Sequence, residues 1–74
     1  MKTKNELILS HRKRALMRYS KDLIEVLNDL DENNAYKDTK RHYSLLGESY
    51  WLRSRIELLH IEIEYLEDKI KGEG

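Results

Sequence analysis

Apolar positions recur along this chain at helical intervals almost from its start. Leu9, Leu16, Leu23 and Leu30 repeat every seven residues, and Ile8, Ala15, Tyr19, Val26 and Leu27 fall on the same side when each residue is turned by about 100°. Just ahead of them, Thr3 and Glu6 have the spacing of a capping box, in which a hydroxyl and a carboxylate each accept from the other's exposed backbone N–H. The pattern predicts a first helix over residues 4–30. Residues 31–34 are polar and include Asn33 and Asn34, which tolerate left-handed backbone, so a turn is expected there. The helical pattern resumes over residues 35–71. From residue 45 it is a heptad seam in which Leu45, Leu52, Leu59 and Leu66 alternate with Ser49, Ile56, Ile63 and Ile70. Gly47 weakens a helix interior by about 1 kcal/mol relative to Ala, yet the phase set by Leu45 carries into Leu52 without a slip. One continuous second helix is expected, with a three-helix arrangement broken near Gly47 as the alternative and residues 72–74 as a disordered tail. The 74 residues make a single helical domain.

Charge decides how the two helices lie. Residues 1–21 carry a net +6, residues 22–34 a net −5, residues 35–55 a net +3 and residues 56–74 a net −4. Folded antiparallel, each basic block lies beside an acidic one. An exposed pair contributes only about 0–1 kcal/mol, but the blocks together disfavour the parallel arrangement, and a short connection makes antiparallel neighbours. The fold class is therefore all-α, an antiparallel hairpin of two long helices.

One hairpin does not cover all of the apolar surface. Trp51, Leu58 and Tyr65 repeat at seven-residue spacing with Ile61 nearby, and project more than about 100° from the Leu/Ile seam. Met17 and Ile24 likewise widen the apolar arc of helix 1. A patch of this kind marks an interaction site. Dimerisation into a four-helix bundle would bury both stripes, and twofold homodimers are the commonest oligomers. The candidate dimer or partner interface thus comprises Leu45, Leu52, Ile56, Leu59, Ile63, Leu66 and Ile70 on one stripe and Trp51, Leu58 and Tyr65 on the other. The plainer reading of the first stripe is that it packs on helix 1. A parallel coiled coil is disfavoured by Glu62 and Glu67, which would repel across it.

Composition removes other solutions. A domain of this size buries only about 60% of its unfolded surface, and with no Cys neither disulfides nor thiolate metal sites can reinforce it. No apolar run exceeds three residues, as at Leu7-Ile8-Leu9, too short for a membrane span of about 20 residues or a secretory core of at least ~7. The expectation is a soluble, cytoplasmic protein that makes no membrane contact.

Candidate chemistry is sparse. Lys4, His11, Arg14, Arg18 and Lys21 line one face of helix 1, a ridge able to track a phosphate backbone. Zero net charge and the lack of a helix-turn-helix or aromatic-interleaved surface favour the ordinary reading, a solvated face. Glu57, His60 and Glu64 have a spacing used by bundle di-metal sites, but they flank the seam and read as a surface charge cluster, so no metal or cofactor is expected. Catalysis needs a nucleophile, a base and an orienting group converging on a pocket. There is no Cys and no glycine-rich phosphate loop, and the serines, such as Ser10, Ser44 and Ser54, read as small polar fillers, so no catalytic residue is assigned.

Tyr36, Tyr43 and Tyr50 also recur every seven residues, and with Trp51 they concentrate aromatics in the first half of helix 2. Such side chains are enriched at binding hot spots, which makes Tyr43, Tyr50, Arg53 and Arg55 the candidate contacts to a second partner. No motif identifies a family. By elimination, the sequence points to a non-enzymatic regulator or adaptor that acts as a helical homodimer on a larger cytoplasmic protein. DNA binding through the helix 1 ridge is the alternative, and a structural assembly subunit the third reading.

Overall fold

The computed structural model describes residues 2–32 and 38–73. Within them the chain forms two α-helices, α1 over Lys4–Glu32 and α2 over Thr39–Glu73, packed along each other as an antiparallel hairpin. The result is a rod with Cα extents of 56 × 18 × 13 Å, close to the ~52 Å expected of a 35-residue helix rising 1.5 Å per residue.

Both helix starts are fixed by side-chain caps. At α1 the Glu6 N–H donates to Thr3 Oγ1 at 3.2 Å, and the Leu7 N–H makes the first backbone bond to the Thr3 carbonyl at 3.0 Å. The reciprocal half of the capping box differs from the expectation, because the Thr3 hydroxyl donates to Glu6 Oε1 at 3.4 Å. At α2 the cap is Asp38, whose Oδ1 accepts from the Arg41 N–H at 3.1 Å while its carbonyl accepts from the His42 N–H at 2.9 Å.

Three boundaries depart from the sequence reading. Helix 2 starts at Thr39, later than residue 35, because Asp38 takes the non-helical capping conformation. Asp31 and Glu32, expected in the turn, complete the last turn of α1, while the rest of that turn and Tyr36 lie outside the described residues. Gly72 and Glu73, expected in a disordered tail, are helical, and Glu73 Oε1 accepts from Asn5 Nδ2 at 2.5 Å across the open end of the hairpin. No break occurs at Gly47. Its φ is not positive and α2 runs straight through it, so the three-helix alternative does not apply.

The core is the seam between the helices. Val26, Leu45 and Leu52 form its centre, with Tyr19, Leu23 and Leu30 packed against them, and Leu59, Ile63 and Leu66 continue it toward the open end. Leu52 and Leu59 are only 2% and 3% exposed. Ser49 is the buried polar residue of the seam, and its hydroxyl is satisfied by donating to the Leu46 carbonyl at 2.7 Å. Arg12 Nε meets Glu62 Oε2 at 2.6 Å, joining the basic start of α1 to the acidic half of α2.

Candidate functional site

The seam uses up one of the two expected interface stripes. Leu45, Leu52, Leu59, Ile63 and Leu66 are buried and Ile56 and Ile70 half-buried, all on the side of α2 that faces α1. Within the hairpin five of these side chains are buried between the helices and two are half-buried. The other stripe stays open: Trp51, Leu58 and Tyr65 are each about half or more exposed, and Ile61 is 64% exposed.

Tyr43 and Tyr50, assigned from sequence to a separate partner contact, belong to that same open face. At about 100° per residue, residues 43, 50, 58, 61 and 65 fall within an arc centred opposite the seam, and Trp51 sits at its edge. Tyr43 is 65% exposed and Tyr65 63%. This unity was hidden in the sequence because a seven-residue spacing drifts by about 20° per heptad on a straight helix, so two seven-residue series look like two stripes when they are neighbouring tracks of one. The outer face of α2 thus carries an aromatic and aliphatic strip, with Gly47 and Ser54 between its large side chains.

Its edge is tied to α1. The Trp51 and Tyr19 rings meet edge to face, with centroids 5.7 Å apart and planes at 80°, and the Arg55 guanidinium lies 5.8 Å from the centre of the Tyr19 ring. Offset and edge-on aromatic pairs and cations over rings each add roughly 0.5–1.5 kcal/mol, so Trp51 and Arg55 help hold the helices together. Farther along, the Lys69 ammonium lies 5.5 Å from the Tyr65 ring centre. Arg53 is exposed beside Tyr50.

On α1 the ridge residues Lys4, His11, Arg14, Arg18 and Lys21 are all exposed, and His11, Arg14 and Arg18 line an open groove together with Ala15. Met17 and Ile24 are 74% and 60% exposed, the second apolar feature directed away from the seam. Glu57, His60 and Glu64 are exposed, and among the described residues no group of three or more His, Asp or Glu is placed to hold a metal ion. No described helix is long and apolar enough to cross a membrane.

Fold and surface together define an all-α helical hairpin with unpaired apolar faces on both helices. The chain matches no protein-family model, no curated protein sequence and no solved structure.

Proposed function

We propose that this chain is a small non-enzymatic protein-binding regulator or adaptor, acting in the cytoplasm as a helical dimer on a larger protein. The observation that carries the reading is that both helices keep large apolar side chains exposed on the sides turned away from their shared seam. Monomeric proteins rarely leave contiguous apolar strips of this length in water, and where they occur such strips mark protein contacts. Tyr and Trp suit this use, since they bury much area while immobilising few torsions. Two separate apolar features, on α2 and around Met17 and Ile24, fit two protein contacts.

A photo-crosslinking residue placed at Met17 in the full chain, in cells of its source, tests the larger partner. The expected result is a covalent adduct to one heavier protein, identified by mass spectrometry and lost on Ile24→Asp. Adducts to nucleic acid alone, or none, would overturn the reading.

The exposure of all five ridge residues on α1 favours a second reading, binding to duplex DNA. Phosphate contacts weaken steeply with salt. Sequence-dependent binding retained at physiological ionic strength supports the DNA reading, and weak binding that vanishes with salt removes it.

A further inference from the structure

The exposed strip on α2 has an internal order that says what covers it. Its positions are Tyr43, Gly47, Tyr50, Ser54, Leu58, Ile61 and Tyr65, spaced by 4, 3, 4, 4, 3 and 4 residues. This is an eleven-residue repeat, 3.67 residues per turn, which follows a 3.6-residue helix almost straight for about 33 Å. The spacing reads the same in both directions about Ser54. Resting on the protein-binding reading above, we infer that the occupant of this strip is a second copy of the chain, its α2 laid antiparallel on the first with the twofold axis at Ser54.

Side-chain sizes are complementary in that register. Tyr50 meets Leu58 of the second copy, Tyr43 meets Tyr65, and Gly47 meets Ile61, with the two Ser54 side chains at the axis. Gly47 has no other explanation in the fold. Its φ is not positive, and a Cβ added there would meet nothing within 4 Å. The hairpin alone therefore gains nothing from a glycine in mid-helix, where the smaller residue weakens the helix. In the antiparallel pair it is the notch that receives Ile61, as small residues do where helices approach closely.

Charge selects the same orientation. Within α2, residues 39–55 carry four bases and one acid, whereas residues 56–73 carry six acids and two bases. Antiparallel pairing sets the basic half of each α2 on the acidic half of the other, and parallel pairing would set like on like. Nearest the axis, Arg53 and Glu57 lie on one flank of the strip, so the register brings each Arg53 to Glu57 of the second copy, twice by symmetry. The exposed parts of the four aromatics, Leu58 and Ile61 amount to roughly 700 Å² per chain, near the ~800 Å² per partner of a standard interface. Because the strip lies opposite the seam, the dimer is a flat layer in the order α1, α2, α2, α1. It is not a bundle around one common core, and it leaves Met17, Ile24 and the basic ridge free on its outer helices.

The chain has no cysteine, which allows the register to be read by disulfide mapping in the full chain. Under mild oxidation Ser54→Cys should link to its own copy. Tyr43→Cys should not link to itself, since its two copies lie about 33 Å apart, but should link to Tyr65→Cys when the two variants are mixed. Self-linking of Tyr43→Cys would mean a parallel dimer and overturn the inference, as would failure of Ser54→Cys to link. As a second arm, Arg53→Glu should weaken self-association roughly tenfold or more, and the double variant Arg53→Glu/Glu57→Arg should restore it. A double variant no tighter than the single one would contradict the register. A monomeric wild-type chain would remove the second copy while leaving the Met17 crosslink to decide the protein-binding reading.

Discussion

At the start of α2 one carboxylate caps the helix. Asp38 satisfies the Arg41 N–H, and Asp38→Ala should lower stability by about 0.5–2 kcal/mol in urea titrations, with Asp38→Asn close to wild type. Gly47→Ala should act in the opposite sense. With open space around the position, it should stabilise the hairpin by about 1 kcal/mol at concentrations too low for self-association. A loss of stability there would mean that Gly47 is packed within the hairpin. These two residues also mark where the sequence was hard to read. Thr3 was legible because Glu6 stands three places on. Asp38 has Arg41 at that position, which leaves no capping-box signature. Gly72 was expected in the tail, but glycine ends a helix mainly by taking a left-handed conformation, and Gly72 does not take one.

At the scale of the element, α2 has two faces whose substitutions should separate cleanly. Leu52→Ala empties the centre of the seam and should cost about 2–5 kcal/mol of hairpin stability. Ile61→Ala, on the opposite face, should change hairpin stability by no more than about 0.5 kcal/mol while weakening self-association. Equal loss of stability in both variants would show that Ile61 belongs to the hairpin core. The seam was readable from sequence because a strict heptad in Leu and Ile admits only one buried side. Which stripe met α1 was not readable, since Trp51, Leu58 and Tyr65 share the same seven-residue spacing. The structure divides them through burial, and joins Tyr43 and Tyr50 to the open set. The antiparallel sense was legible because it needed only the order of the charge blocks, and Arg12 with Glu62 is where those blocks meet. That bridge is half exposed at both ends, so Arg12→Ala should cost at most about 1 kcal/mol, a difference that shrinks at ~1 M salt.

At the scale of the molecule, a two-helix rod has one seam to bury and leaves large apolar side chains of both helices exposed. The hairpin is 18 Å across at the Cα atoms along its second axis and 13 Å along the third, so it gains a further buried layer only by adding another chain. The proposed flat dimer through α2 would supply that layer and keep the two basic ridges and the Met17 patches at its outer edges, within reach of a larger protein. The central claim is that α2 is covered on both sides, by α1 on one and by a second α2 on the other. Sedimentation equilibrium of the wild-type chain at moderate salt, over a wide concentration range, tests it most directly. The account predicts a species of twice the 8.9 kDa chain mass, reduced to the chain mass by the combined substitution Tyr50→Ser/Ile61→Ser with helicity unchanged. A folded wild-type monomer throughout the range would contradict it.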